Sequence, residues 1–218
     1  MKLKSVLYVF ALLTLALAAA CNKGDEKATK DSDADGVEAE VKKGVKPEPD
    51  AEAAVIETDY GRIVIELYPN LAPQMVGQFK SLIGRKFYDG TAIHRIDPAL
   101  GIIQGGDPNS KDAVPENDGM GSSGQPNLPA EFSDIPYERG TVGAARAQDE
   151  NSANCQFYVT LKRQPAFDNR YTVFGRVIEG IGNADIIAGA PIAPNTQDRP
   201  AERITVKSVT LAPRSNFK

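Results

Sequence analysis

The chain has 218 residues, 41% of them hydrophobic, which is enough for one compact domain and too few for two large ones. A formal net charge of -4 argues against a general nucleic-acid binder, and a single histidine, His94, leaves too few ligands for a histidine-based metal centre. With two cysteines, Cys21 and Cys155, no disulfide framework is implied.

In chain order, Lys2 and Lys4 precede a nearly continuous apolar run over residues 6–20. That run is short for a membrane span and has the shape of a secretory signal. It ends in Leu17-Ala18-Ala19-Ala20-Cys21, which resembles a bacterial lipoprotein cleavage box. The resemblance implies removal of residues 1–20 and lipid attachment to the Cys21 thiol, although Ala18 stands where an aliphatic residue is usual. It further implies a cell-envelope, periplasmic location, with Asn22 mildly favouring the outer membrane. With Cys21 acylated, Cys155 is left as a free thiol in an apolar run, where a small buried hydrophobe is expected.

Residues 22–53 hold ten acidic and six basic residues, with few large apolar side chains. Such a segment cannot offset the entropy of ordering, so residues 21–53 are expected to form a flexible acidic tether. Within it Asp31, Asp33, Asp35 and Gly36 match the first half of an EF-hand loop. Lys42 occupies the twelfth position, where a bidentate Glu belongs, so a solvated linker is the better reading.

The folded part is expected over residues 54–218. Residues 55–58 and 62–68 read as strands around the turn Asp59-Tyr60-Gly61, with Ile63, Ile65 and Leu67 on one face. Pro73 fits the first turn of a helix ending at Gly84, its inner stripe Val76, Phe79 and Ile83; Gly77 within it costs about 1 kcal/mol against Ala. Further strands are expected at 91–96, 102–105, 129–132, 141–145, 156–161, 172–177 and 203–211, with a short helix over 180–188. Many short strands with few helices indicate a mainly β sandwich or closed barrel, and periodicity alone does not choose between them.

Three segments depart from generic barrel sequence. Ile93-His94-Arg95-Ile96 precedes Ile102-Ile103-Gln104-Gly105-Gly106-Asp107-Pro108. Gly143-Ala144-Ala145-Arg146-Ala147 leads through Asn151-Ser152-Ala153-Asn154 into Cys155-Gln156-Phe157-Tyr158-Val159. The third runs from Phe167-Asp168-Asn169-Arg170-Tyr171 to Thr172-Val173-Phe174-Gly175-Arg176-Val177. In order and spacing they resemble the cyclophilin family of peptidyl-prolyl isomerases over residues 54–212.

The resemblance implies a closed eight-stranded antiparallel β-barrel capped by two α-helices, with a substrate groove on its outer face. It implies isomerisation of X-Pro bonds, proline-containing polypeptides as partners, and neither cofactor nor metal; nothing in the sequence suggests more than a monomer. Arg95 aligns with the family's catalytic arginine. Gln104 and Gln156 align with polar groove residues, and Ala145 with a small residue whose backbone meets the peptide. Tyr158 and Phe167 align with walls of the proline pocket and Tyr171 with its rim, while His94 reads as structural. The stretch between Arg95 and Gln104 is one residue longer than the family pattern, and the pocket-floor phenylalanine is replaced by Leu100 or Ile102. Ala166 stands where an aromatic is frequent. A less aromatic floor predicts weaker binding of cyclosporin-type ligands. Lipid anchoring at Cys21 joins these into an isomerase assisting the folding of exported proteins. The alternatives are a proline-peptide-binding chaperone module with little catalysis and, more distantly, a structural envelope lipoprotein.

Overall fold

The structure, a computed structural model, describes residues 39–217; the signal segment, Cys21 and the acidic stretch 31–36 lie outside the described residues. Strands β1 (Glu52–Thr58) and β2 (Gly61–Leu67) form the expected hairpin. Gly61 at its turn has φ +105°, and a Cβ there would come 2.8 Å from the Asn183 amide. Helix α1 spans Pro73–Gly84 as punctuated by its first and last residues, and buries Met75, Val76, Phe79, Leu82 and Ile83.

Five strands follow: β3 (Ile93–Asp97), β4 (Ile102–Gly105), β5 (Thr141–Ala144), β6 (Phe157–Thr160) and β7 (Val173–Glu179). Helix α2 (Ile181–Ala188) and strand β8 (Val206–Pro213) complete the set. All neighbouring strands are antiparallel, in the order β3-β4-β6-β5-β7-β2-β1-β8.

The closed barrel implied by the family resemblance is corrected by this ladder: the sheet is an open, curled half-barrel with β3 and β8 as its edges. The segments leading into those two strands do approach, through an isolated bridge between Ala92 and Thr205 and the bond from Ile93 N–H to Ile204 O at 2.9 Å. Further along β3 the Ile96 N–H is taken at 2.6 Å by the carbonyl of Asp198, in the loop before β8. A loop carbonyl thus holds the edge donor that a closing strand would need.

The strand expected at 129–132 is absent; single bridges flank the segment, Leu128 with Ala153 and Ser133 with Lys42. Glu131 is instead committed to α1. Ala72, at the helix N-cap, offers no capping side chain. The buried Glu131 carboxylate accepts from Gln74 N–H and Met75 N–H, each at 3.0 Å. It satisfies two orphan donors and places negative charge at the positive end of the helix dipole.

The concave face carries the main core. Ile63, Ile65 and Leu67 join the inner stripes of both helices there, around Phe79, which is fully buried. The Phe79 ring meets Tyr88, Phe174 and Phe157 at centroid distances of 5.1, 5.3 and 5.6 Å. Cys155 belongs to this core as a free buried thiol, its pKa pushed up to about 12 by burial.

The folded part begins before residue 54. Strand β1 starts at Glu52, and the ten residues ahead of it lie along the domain. Lys42 N–H bonds Phe132 O at 2.9 Å, Lys42 Nζ bonds Leu71 O at 2.6 Å, and Asp50 N–H bonds Leu67 O at 2.8 Å. Asn70 donates to Lys46 O at 2.8 Å and accepts from Glu48 N–H at 3.0 Å, while Val45 packs on an apolar cluster of the convex face. Low hydrophobicity misled the expectation here, because this strap is held mainly by backbone groups.

Candidate active site

Strand β3 carries the central side chain, and a bulge aims it. Ile93 pairs with Gly105 and Arg95 with Gln104, so two steps along β3 answer one step along β4. His94 is the additional residue. Ile93 and Ile96 both enter the concave core, which a strict alternation over three positions would forbid. The extra residue resolves this and turns Arg95 to the convex face. His94 itself is buried, and burial holds its pKa below the ordinary 6.5.

The Arg95 guanidinium donates through Nη1 to Gln104 Oε1 at 3.2 Å, through Nε to Asp198 Oδ2 at 2.7 Å and through Nη2 to Asp97 Oδ2 at 2.7 Å. Gln104 Nε2 then donates to Gln156 Oε1 at 3.0 Å. Gln156 Nε2 in turn donates to the carbonyls of Gly119 and Gly121, at 3.0 and 3.1 Å. The loop at 119–121 is also held by Asp107, which is fully buried and accepts from Gly119 N–H. Arginine, two carboxamides and a loop therefore form one connected polar line.

Beside this line lies an apolar cluster on the convex face. Alternation puts Ile102 of β4, Tyr158 of β6 and Val173 of β7 there, while Ile103, Phe157, Val159 and Phe174 point inward. Phe167 joins them, and Leu100, Ala145 and Tyr171 pack on the cluster half-buried. The Phe167 ring is 4.9 Å from Tyr171 and 5.6 Å from Tyr158. Every apolar residue singled out from sequence is thus gathered here. Ile102 and Tyr158 are each 3% exposed, so the surface open to a ligand comes from Leu100, Ala145 and Tyr171. Burial also raises the Tyr158 phenol pKa well above its ordinary value. A Cβ at Gly143 would lie 2.5 Å from that phenol oxygen, so only glycine lets the ring seat here.

Several site features escaped sequence reasoning. Asp97 and Asp198 hold the arginine, and the second is distant in the chain. The Arg146 guanidinium lies over the Tyr171 ring, 4.6 Å from its centroid, a cation–π contact at the rim. Gln104, Ala145, Arg146 and Gln156 line a cavity of about 350 Å³ that the 119–122 loop closes from the far side. Among the described residues no group of three or more His, Cys, Asp or Glu side chains could hold a metal ion.

A curled antiparallel sheet with two helices and a convex groove of this kind defines the cyclophilin class of fold. The family described as cyclophilin type peptidyl-prolyl cis-trans isomerase/CLD matches residues 53–211. The probable peptidyl-prolyl cis-trans isomerase of Brucella suis is 39% identical over 145 residues, covering 65% of this chain and 74% of that protein. Peptidyl-prolyl cis-trans isomerase-like 1 of Gibberella zeae is 31% identical over 157 residues, covering 70% and 90%. A Cryptosporidium parvum cyclophilin, crystallised in the presence of the dipeptide Ala-Pro, superposes with a TM-score of 0.65 at 25% identity over 73% of this chain and 98% of its own. The chain belongs to the cyclophilin-type peptidyl-prolyl cis-trans isomerases, and its activity is the isomerisation of X-Pro peptide bonds.

Proposed function

We propose that Arg95 is the catalytic side chain of this isomerase and that the enzyme assists folding of exported polypeptides from a lipid anchor at Cys21. The observation that carries the catalytic part is a fixed guanidinium, bonded to Gln104, beside an apolar cluster. Amide resonance sets a rotation barrier of about 18–20 kcal/mol, and no covalent bond has to break to cross it. In the twisted state the prolyl nitrogen regains its lone pair and becomes a hydrogen-bond acceptor. A permanently charged donor near that nitrogen stabilises the twisted state more than either planar one.

Leu100, Ala145 and Tyr171 would receive the prolyl ring over Ile102, Tyr158 and Phe167, removing it from water while the preceding peptide lies along Gln104 and Gln156. A relative crystallised in the presence of Ala-Pro supports proline-containing peptides as the ligand class. The export part rests on sequence: a basic start, an apolar run and the lipobox-like residues 17–21.

Isomerisation of an Ala-Pro reporter by the full chain and by Arg95→Ala tests the catalytic reading. Loss of roughly 100-fold or more in kcat/KM, with an unchanged melting temperature, is expected for removal of a transition-state donor. Wild-type rates in the variant would sink it. For the anchor, Cys21→Ser is expected to move the protein from the membrane fraction to the soluble one, and retention in the membrane would count against lipidation.

A further inference from the structure

Arg95 commits three of its donor positions within the protein, two of them to carboxylates. We infer that Asp97 and Asp198 are positioning residues that hold the Arg95 guanidinium in its working plane, and that Asp97 also ties it to the turn forming the pocket floor. The inference rests on the reading of Arg95 as the catalytic side chain.

A guanidinium sits on a long stem whose rotamer freedom must be lost before it can act as an aimed donor. Asp198 Oδ2 takes Nε and Asp97 Oδ2 takes Nη2, so the group is held by two carboxylates at separate nitrogens. A planar group held at Nε, Nη1 and Nη2 cannot rotate about its stem without breaking a bond. Guanidinium carries five N–H donors, so one on each Nη remains uncommitted for a substrate.

Neither carboxylate is a free-swinging partner. The backbone of Asp198 is pinned to the edge of β3 by its carbonyl, which accepts from Ile96 N–H at 2.6 Å. Its loop is braced by the bridge between Ile192 and Pro200. Asp97 is half-buried in β3 itself, and its other oxygen accepts from Leu100 N–H at 2.8 Å. Leu100 stands in the turn that is one residue longer than the family pattern. That turn is held from the opposite side by Lys162 Nζ, which bonds Ala99 O at 2.9 Å, and by Gln164 Nε2, which bonds Leu100 O. One carboxylate therefore sets both the height of the floor and the angle of the arginine.

The two aspartates differ in a way that kinetics can read. Asp198 braces the arginine and has no bond to the floor, so Asp198→Ala is expected to lower kcat about tenfold with KM within about twofold of wild type. Asp97→Ala removes the brace and the turn bond together, so kcat falls and KM rises. Asp97→Asn keeps an acceptor for Leu100 N–H but turns its amide N–H donors towards Nη2, so KM returns towards wild type while kcat stays low. Asp198→Asn, whose amide oxygen can accept from Nε, is expected to recover part of kcat. Part-exposed ion pairs add little to stability, so all four proteins should melt within a few degrees of wild type.

The measurement is steady-state isomerisation by the full chain, with Arg95→Ala in parallel. If Arg95→Ala keeps its activity, the reading of the arginine falls and the brace falls with it. If Arg95→Ala is inactive while Asp198→Ala and Asp97→Ala keep kcat within twofold, the arginine stands and the brace is overturned. A uniform loss in all four variants that tracks melting temperature, without the split between kcat and KM, also overturns it.

Discussion

On β6, Phe157 and Val159 enter the concave core, while Tyr158 between them joins the convex cluster beside the Arg95–Gln104–Gln156 line. The two faces share their strands but not their construction. The concave face closes on Phe79 with aromatic contacts on several sides and takes its residues from simple alternation and helix periodicity. The convex face depends on one inserted residue, a connected run of amides and carboxylates from three chain segments, and a glycine where a ring must seat. Stability can be built from local pattern; this site requires local pattern to be interrupted.

Deleting Ile96 is expected to have the largest effect. With the bulge at His94 kept, Asp97 takes the inward place of Ile96, and with the bulge straightened Arg95 turns inward instead. Burial of such a charge costs several kcal/mol, so no folded protein should be recovered. His94→Ala keeps the backbone count and should fold and isomerise the reporter. A folded, active deletion variant would remove the bulge from this account.

Phe79→Ala comes next. It should lower stability by about 3–5 kcal/mol in denaturant titrations while the folded fraction keeps near-normal kcat/KM, because Phe79 touches only the concave side. A matching loss of specific activity would show that the two faces are not separable. The smallest effect concerns pH. Burial depresses the His94 pKa below 6.5, so the unfolded chain binds the extra proton first as pH falls. The stability owed to neutral His94 is complete above 6.5 and declines below it towards the folded pKa. Melting temperatures should therefore fall more steeply with acid in the wild type than in His94→Ala, and parallel curves would contradict this.

Most of the concave face was legible in sequence. Pro73 and Gly84 bracket α1 because one cannot continue a helix backwards and the other readily ends it, and the strands show clear alternation. The apolar half of the site was legible only through family resemblance, since Tyr158 or Ile102 alone would read as ordinary core. Other parts left no local mark. Glu131 caps a helix far from its own position, so its β-like neighbourhood was read as a strand. Asp198 approaches Arg95 from across the fold, and no spacing rule connects the two. The edge carbonyl that leaves the sheet open, and the backbone bonds of the strap at 42–50, are likewise invisible to hydrophobicity.

The line from Arg95 to the 119–121 loop has a direction. Each carboxamide accepts on the arginine side and donates on the loop side. At one end stands a group that can only give protons to such bonds, and at the other stand carbonyls that can only receive. Turning either glutamine over would set donor against donor or acceptor against acceptor, and turning both would create the mismatch at each terminus. The pair behaves as a single polarised wire with both poles fixed. The groove therefore displays one electrical face to an arriving peptide before any contact is made.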